Sequence, residues 1–273
     1  MSASEPEPDP EAPAVAPADL ERENRILARR LSRMEANVRR LEQFGDSNAT
    51  LLSRLLQDLE VEKARSQQLL LNVLPQRIVD RLNAGEARIA DRHDDVTVLF
   101  SDFVGFTAIA GVLTPAVLIE ELNELFRAFD AICDANGVEK IKTVGDAYLA
   151  VGGLTGSGVD GAVAVAETAL AMLDAVASRK GAATEWQIRI GINTGPIVAG
   201  IVGSSKFAYD VWGDTVNVAS RLESTSEPGR IQVPSELASR LAHRFVFEPR
   251  GTVDLKGKGT VETCLLVGRR RSG

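Results

Sequence analysis

The regular pattern of the chain begins at Asp19, where apolar residues start to recur with a period of seven. The repeated positions are Leu20, Leu27, Met34 and Leu41, and the interleaved positions hold Asn24, Leu31 and Val38. Because alternate steps of three and four residues form the a/d seam of a coiled coil, the pattern predicts a parallel helix pair, with a single solvated helix as the alternative. Asn24 stands at an a position, where a polar residue can fix register and oligomer state.

A second helix is predicted behind this seam. The sequence Gly45-Asp46-Ser47-Asn48 interrupts the pattern and predicts a turn or a stutter. The leucines between 49 and 74 then predict a helix that Pro75 ends or kinks, because proline lacks a backbone donor and restricts the residue before it. A short helix, Gln76–Asn83, is predicted to follow.

The remainder of the chain alternates strand-like and helix-like patterns. Strands are predicted at Val96–Phe100, Val138–Val144, Ala147–Val151, Gln187–Asn193 and Ile197–Val202, with shorter ones at 232–233, 245–247 and 263–267. Helices are predicted at Thr114–Asn136, Gly161–Ser178 and Asp214–Glu223, the last with Asp214 as a candidate N-cap. The order β-α-β-β-α-β predicts a ferredoxin-like α+β fold with additions at its C-terminal end.

Composition and charge exclude several classes of protein. The 273 residues are 44% apolar and 25% charged, which is average for a globular chain. The net charge of −7 and the lack of a concentrated basic face argue against nucleic acid binding. The acidic segment 1–18 holds five of the eleven prolines, so it is predicted to be disordered and is no signal peptide. No apolar run is long enough to span a membrane, and two cysteines fit the reducing cytoplasm.

Two aspartates each follow an apolar strand. Asp102 ends the first predicted strand, and Asp146 lies at the tip of the hairpin 138–151. Since the first strand and the hairpin are central neighbours in a ferredoxin-like sheet, the two carboxylates are expected to converge. Adjacent carboxylates repel unless a divalent cation lies between them, and Mg²⁺ is usually held by one or two carboxylates plus substrate phosphates. Each aspartate alone also fits an ordinary turn residue.

Two further polar groups have a spacing suited to a nucleotide. Asn217 and Arg221 lie four residues apart and share one helix face, where an amide and a guanidinium suit a ribose or phosphate oxygen. Lys256 and Lys258 alternate with glycines, which lets the backbone approach a phosphate closely. An ordinary surface pair and a basic turn without function are the alternatives. The glycine-rich segment 152–158 lacks the Lys-Ser/Thr of a P-loop and is predicted to be a flexible loop.

Five segments together resemble class III nucleotidyl cyclases, the adenylyl and guanylyl cyclases that work as dimers of a ferredoxin-like catalytic domain. These segments are FSDFVGFT (Phe100–Thr107), VEKIKTVGDAYLAVGG (Val138–Gly153), IRIGINTGPIVAGIVG (Ile188–Gly203), YDVWGDTVNVASRLES (Tyr209–Ser224) and LKGKG (Leu255–Gly259). The segment LLNVLPQRIVDRL (Leu70–Leu82) also resembles the transducer helix that often precedes such domains.

The resemblance assigns metal and purine ligands. It implies that Asp102 and Asp146 hold two divalent cations, Mg²⁺ or Mn²⁺, with the Phe103 carbonyl assisting one. Lys142 and Asp210 stand where adenylyl cyclases carry the pair that reads adenine N1 and N6. An ammonium donor suits the N1 acceptor and a carboxylate suits the exocyclic amine, whereas guanylyl cyclases typically place Glu and Cys there. ATP is therefore the implied substrate.

The resemblance also implies the reaction and the assembly. Asn217 would orient the ribose, Arg221 would stabilise the transition state, and Lys256 would hold the triphosphate. ATP would be converted to 3′,5′-cyclic AMP and pyrophosphate by attack of the ribose 3′-hydroxyl on the α-phosphate, assisted by two metal ions. The aspartates and the other ligands of one site would come from opposite chains of a head-to-tail homodimer, which the N-terminal helices would also hold together.

Four segments follow from this interpretation. They are a disordered tail at 1–18, a helical dimerisation and transducer segment at 19–86, a nucleotidyl cyclase catalytic domain at 87–268, and a basic tail at 269–273. A guanylyl cyclase and a catalytically silent dimerisation scaffold remain as alternatives. The residues Lys142 and Asp210 argue against the first, and the presence of Asp102, Asp146, Asn217 and Arg221 argues against the second.

Overall fold

The computed structural model describes residues 17–71, 73–86, 88–154, 160–179, 184–203 and 208–270. The chain divides into two compact units, 1–72 and 73–273. The predicted disordered tail therefore lies almost wholly outside the described residues, as do most of the glycine-rich loop at 152–158 and the last three residues of the basic tail.

The described residues of the first unit form one helix, α1 (Pro17–Leu71), of 55 residues. The apolar residues of the predicted seam lie along this helix and are exposed in the chain: Leu20, Leu27, Leu31, Met34, Val38 and Leu41. The seam is thus helical, and it offers its apolar side chains to solvent within one chain.

The turn predicted at Gly45–Asn48 is wrong, because α1 continues through these residues. The alternative, a stutter, shifts the heptad pattern within an unbroken helix and stays a prediction. The polar side chains in this region bond back onto the helix, with Ser47 Oγ donating to the Gln43 carbonyl at 2.8 Å and Thr50 Oγ1 donating to the Asp46 carbonyl at 2.9 Å. One glycine in a helix interior costs only about 1 kcal/mol, which a long helix tolerates. The two predicted helices are therefore one.

The second unit is built on an eight-stranded sheet. In chain order its elements are α2 (Gln76–Asn83), β1 (Ala90–Phe103), α3 (Phe106–Ala110), α4 (Pro115–Asn136), β2 (Glu139–Val144), β3 (Ala147–Gly152), α5 (Gly161–Ala177), β4 (Ile188–Val202), β5 (Ala208–Trp212), α6 (Asp214–Ser224), β6 (Ile231–Pro234), α7 (Ser235–Leu241), β7 (Phe245–Leu255) and β8 (Gly259–Arg269). The strand order is β2-β3-β1-β4-β6-β8-β7, and β5 pairs with β4. The four strands β2, β3, β1 and β4 are antiparallel neighbours, which confirms the ferredoxin-like order.

Helices cover both faces of this sheet. On one face, called here the α4–α5 face, Leu99 and Phe103 of β1 pack with α4 and α5 in the larger core cluster. On the other, the α2–α6 face, Val98 of β1 packs with Ile78 of α2 and Ala219 of α6. Since successive strand residues point to opposite faces, Asp102 lies on the α2–α6 face. This face carries most of the residues discussed below.

The strand β4 was predicted as two pieces around Thr194-Gly195-Pro196, and the structure corrects this to one strand. The reason lies in β1, where the register shifts between His93 and Val96. Two residues of β1 therefore oppose Pro196 alone, and such a bulge tolerates a residue that lacks a backbone donor. The N-cap of α6 is Gly213, and Asp214 is its first helical residue. The elements α3, β5 and α7 were not predicted.

Within the described part of the chain, no helix combines the length and the apolar character that a membrane span requires.

Candidate active site

The two predicted metal-binding aspartates meet on the α2–α6 face. Asp102 is the penultimate residue of β1, and Asp146 lies in the Gly145-Asp146 turn that joins β2 to β3. The turn requires a left-handed residue, which Gly145 supplies at φ +63°. Pairing of Ser101 with Tyr148 brings the turn beside the end of β1. The carboxyl groups of Asp146 and Asp102 lie close enough for the charge of Asp102 to act on Asp146.

Burial and this contact change the chemistry of Asp146. Burial is the larger cause and the neighbouring Asp102 carboxyl the second, and together they raise the pKa of Asp146 to about 6. A raised carboxyl pKa reports that the charged form is disfavoured by burial and by a neighbouring acid. A divalent cation placed between the two carboxylates would relieve this repulsion.

Two residues that the sequence analysis missed complete the surroundings. Arg189 stands opposite Asp102 in the β1–β4 ladder, and its Nη2 lies 3.3 Å from Asp102 Oδ2 and 3.2 Å from Glu223 Oε1. Glu223 is only 6% exposed, and burial, followed by the charge of Asp102, raises its pKa to about 7. The signal in the sequence was a charged residue within the apolar strand IRIGI (Ile188–Ile192).

The donor set fits a hard divalent cation that shares its coordination with a substrate. No group of three or more His, Cys, Asp or Glu side chains with metal-binding geometry occurs among the described residues. Two carboxylates suffice for Mg²⁺ when phosphate oxygens supply further ligands. Phe103 follows Asp102 and has a fully buried side chain, so only its backbone carbonyl is available as a ligand.

The helix α6 separates a second group of predicted residues from these aspartates. Asn217 is exposed and Arg221 is half-buried on this helix. Successive residues of an α-helix are rotated by about 100° around its axis, so Arg221 and Glu223 lie on nearly opposite sides of α6. Arg221 therefore points away from the side on which Glu223 approaches Asp102. Among the contacts described for these side chains, no hydrogen bond or ion pair joins Asn217 or Arg221 to the aspartates.

The turn between β7 and β8 lies against α6. Lys258 forms an ion pair with Asp214 at the start of the helix. A Cβ placed on Gly257 would lie 3.6 Å from Arg221 Nη1, so this turn also borders the guanidinium. Lys256 belongs to the same turn and is exposed. The predicted ribose and phosphate ligands are thus assembled around α6.

The predicted purine-reading pair is formed within one chain. Lys142 Nζ of β2 lies 2.5 Å from Asp210 Oδ2 of β5. The other oxygen, Asp210 Oδ1, accepts a hydrogen bond from the Val211 amide at 2.9 Å. A cation and an anion are thereby held side by side, which is the donor and acceptor pair that an adenine edge requires.

The position of α6 depends on a glycine of β4. A Cβ on Gly191 would lie 2.1 Å from the Glu223 amide nitrogen and 2.3 Å from the Ala219 carbonyl oxygen. These are backbone atoms, so Gly191→Ala is expected to push α6 off the sheet and to displace Asn217 and Arg221. A misplacement of a positioning residue by about 1 Å can slow a reaction about a hundredfold. We expect a fall of this size in kcat for the ATP cyclisation that the resemblance implies.

This expectation is measured as kcat per folded protein, with thermal unfolding followed in parallel. Gly268→Ala in β8 is the matched control, because nothing lies within 4 Å of the added Cβ there. Wild-type kcat in the Gly191→Ala variant would show that the seating of α6 does not position the site.

Comparisons with known proteins agree with this geometry. Residues 89–268 match the family described as the adenylate and guanylate cyclase catalytic domain. Over 214 residues the chain is 47% identical to an adenylate cyclase of Mycobacterium tuberculosis, covering 78% of this chain and 48% of that protein. It is 41% identical over 238 residues to human atrial natriuretic peptide receptor 2, covering 85% of this chain and 23% of the receptor. The chain therefore spans about half the length, or less, of these relatives.

A solved structure gives the same result. The guanylate cyclase domain of RhGC from Catenaria anguillulae, solved with GTP, has a TM-score of 0.63 and 36% identity. The match covers 66% of this chain and all of that domain. The sheet order, the paired aspartates and the family match lead to one conclusion: this chain belongs to the adenylate and guanylate cyclase catalytic domain family.

Proposed function

We propose that the protein is an adenylyl cyclase, which converts ATP to 3′,5′-cyclic AMP and pyrophosphate. The observation that carries the choice of ATP is the ion pair between Lys142 and Asp210. The Lys142 ammonium donates to adenine N1, and the Asp210 carboxylate accepts from the exocyclic amine. Guanine presents a hydrogen-bearing N1 and a carbonyl at the same edge, so both contacts would be lost with GTP.

Asp102 and Asp146 hold the divalent cations of the reaction, with the Phe103 carbonyl as an additional ligand. When bound, Mg²⁺ or Mn²⁺ supplies charge neutralisation at the phosphates and acidifies a bound hydroxyl. The carboxylates of the chain would contribute the negative charge that recruits the cations, and the raised pKa of Asp146 beside Asp102 supports this role. Arg189 orients Asp102 from the neighbouring strand.

The ligands around α6 act on the rest of the nucleotide. Asn217 orients the ribose so that its 3′-oxygen lies in line with the α-phosphorus. Arg221 donates to the phosphate oxygens on which negative charge grows in the transition state, and Lys256 binds the departing pyrophosphate. Positioning and electrostatic stabilisation therefore supply most of the rate acceleration, as in other phosphoryl transfers.

The site is completed by a second copy of the chain in a head-to-tail homodimer. Arg221 points away from the side of α6 that faces the aspartates of its own chain, and no described hydrogen bond or ion pair joins Asn217 to them. Both observations support a site shared between two chains. A closed two-fold arrangement gives two equivalent sites. The exposed seam of α1 supports the same assembly, because a coiled coil would raise the local concentration of the second catalytic domain.

An assay of cyclic products tests the proposed reaction. The full chain is supplied with ATP or GTP and with Mg²⁺ or Mn²⁺, and the products are separated chromatographically. Cyclic AMP as the main product supports the proposal. Cyclic GMP as the main product would identify a guanylyl cyclase. The absence of any cyclic nucleotide with either metal would identify a silent scaffold.

Exchange of the purine-reading pair is expected to change the nucleotide preference. Lys142→Glu combined with Asp210→Cys removes both adenine contacts and introduces groups suited to guanine. We expect the ratio of kcat/KM for ATP to that for GTP to fall at least about tenfold. The measurement is steady-state kinetics with each nucleotide.

A second lysine–aspartate pair provides the control for this exchange. Lys140 of β2 forms an ion pair with Asp130 of α4 at 2.7 Å, on the other face of the sheet. Lys140→Glu with Asp130→Cys makes the same chemical change away from the proposed pocket and should leave the preference unaltered. Equal shifts in both double variants would refute the assignment of Lys142 and Asp210.

A further inference from the structure

The strands that carry the purine-reading pair have no backbone hydrogen bonds between them. Lys142 lies on β2 and Asp210 on β5, but β2 pairs with β3, and β5 pairs with β4. The strands β3, β1 and β4 separate the two in the strand order. The spacing between Lys142 and Asp210 is therefore set by side chains and by whatever packs across both strands.

A register shift in β2 turns Lys142 toward the α2–α6 face. The pairing of β2 with β3 shifts between Lys140 and Lys142, so that Glu139 opposes Val151 and Lys142 opposes Leu149. Val151 and Leu149 both belong to the core cluster of the α2–α6 face. Because directly opposed residues point to one face of a sheet, Glu139 and Lys142 share that face.

The helix α2 spans the gap between the two strands through Arg77. The guanidinium forms an ion pair with Glu139 of β2, with Nη2 3.0 Å from Glu139 Oε1. The same Nη2 donates to the hydroxyl of Tyr209 on β5, and the guanidinium lies 5.4 Å from the centre of the Tyr209 ring. Glu139 lies three residues before Lys142, and Tyr209 immediately precedes Asp210. One side chain thus ties together the two strands that present the pair.

The helix α2 is held in place by buried residues. Leu74 just before the helix, and Ile78 and Val79 within it, are at most 3% exposed. They pack in the same core cluster as Tyr209 and Val211. A planar guanidinium with several donors can bridge two acceptors at once, which a lysine ammonium on a flexible stem does less well.

We propose that Arg77 is a positioning residue for nucleotide recognition, which sets the distance between Lys142 and Asp210 by clamping β2 to β5. The proposal rests on the proposed function of this pair as the purine reader. Arg77 itself does not contact the nucleotide; it acts through Glu139 and Tyr209. Its loss should therefore weaken purine binding while leaving the aspartate pair and the ligands on α6 in place.

The full chain carrying Arg77→Ala tests this proposal. Binding of the non-cyclising analogue adenosine 5′-(α,β-methylene)triphosphate is measured by calorimetry, beside KM and kcat for ATP. We expect the Kd of the analogue and the KM for ATP to rise about tenfold, and kcat to change less than about threefold. Arg77→Lys should fall between the wild type and Arg77→Ala.

Arg81 is the matched control on the same helix. It lies one turn later, has 33% side-chain exposure against 31% for Arg77, and forms ion pairs with Glu86 and Asp91, neither of which belongs to β2 or β5. Arg81→Ala should leave the Kd of the analogue within about twofold of wild type. If Arg77→Ala does not fold, Tyr209→Phe removes only the hydroxyl arm of the tie and is expected to raise the Kd by a few fold.

The outcomes separate this proposal from the proposed function. Equal Kd values for Arg77→Ala and Arg81→Ala, or an unchanged Kd in a folded Tyr209→Phe chain, would overturn the role of Arg77 even if the wild type makes cyclic AMP. A tenfold higher Kd of the analogue in Arg77→Ala but not in Arg81→Ala would support the role of Arg77 even if no cyclic product formed. Failure of the wild type to bind the analogue at all would overturn both.

Discussion

Asp102→Ala is expected to abolish turnover, with a loss of at least about a thousandfold in kcat, while the fold is kept. Asp102 provides one of the two carboxylates proposed to hold the cations at the end of β1. Without it, Asp146 alone must recruit the cations, and the charge of the phosphates is compensated less. The rate is measured as cyclic AMP formed with Mn²⁺ and with Mg²⁺.

The structure predicts that this variant folds. Asp102 is partly exposed and forms an ion pair with Arg189. Arg189 still has an ionic partner in the variant, because Glu223 Oε1 lies 3.2 Å from Arg189 Nη2. Thermal unfolding with and without Mn²⁺ provides a readout other than activity. The wild type should be stabilised by Mn²⁺ together with a nucleotide, and Asp102→Ala should lose most of that stabilisation.

Asp94→Ala is the control for this substitution. Asp94 is also an aspartate of β1, but it lies at the bulge, is highly exposed and pairs only with Arg92 among its described contacts. We expect wild-type activity from it. A folded Asp102→Ala chain that turns over ATP at the wild-type rate would remove the aspartates from the mechanism.

Much of the fold is predictable because local periodicity and topology coincide. The helix at 115–136 has Thr114 as its N-cap and Gly137 in a left-handed conformation at its end, both of which are visible as sequence signals. The convergence of Asp102 and Asp146 follows from the neighbouring places of β1 and the β2–β3 hairpin in a ferredoxin-like sheet. Residues at strand ends are thus well predicted when the sheet order is known.

The errors arise where the surrounding structure overrides the signal of a few residues. Gly45–Asn48 has the composition of a turn, yet its polar side chains bond to preceding carbonyls and the helix continues. Pro196 predicts a break in the strand, but β4 continues because a bulge in the opposite strand β1 accommodates the proline. The first outcome depends on the helix on either side of the segment, and the second depends on a strand that is distant in the sequence.

The missed site residues have the same origin. Glu223 reaches the aspartates only because Gly191 lets α6 lie directly on β4. Arg77 meets Glu139 and Tyr209 only after α2 has packed across two strands that are distant in the chain. Such contacts join segments that are far apart in the sequence and leave no periodic signal.

Complementation between two inactive chains is expected to restore activity. Chains carrying Asp102→Ala and chains carrying Arg221→Ala are each expected to be inactive as homodimers. In a mixed dimer one site receives both defects, and the other receives the intact aspartates of one chain and the intact Arg221 of its partner. Since random pairing makes half of the dimers mixed and each has one intact site of two, the mixture should recover roughly a quarter of the wild-type activity.

A second mixture controls for effects of pairing itself. Asp102→Ala with Asp146→Ala places both defects on the metal side, so each site of a mixed dimer retains one damaged aspartate pair. This mixture is expected to stay inactive. Its comparison with the first mixture isolates the sharing of residues between chains.

The most direct test of the shared site is therefore cyclic AMP formation by co-expressed, differently tagged Asp102→Ala and Arg221→Ala chains, purified as verified heterodimers. In pure heterodimers one of two sites is intact, and we expect about half of the wild-type activity, with none from the Asp102→Ala and Asp146→Ala pair. Heterodimers of the first pair that form no cyclic AMP, or equal activity from both pairs, would contradict a site built from two chains.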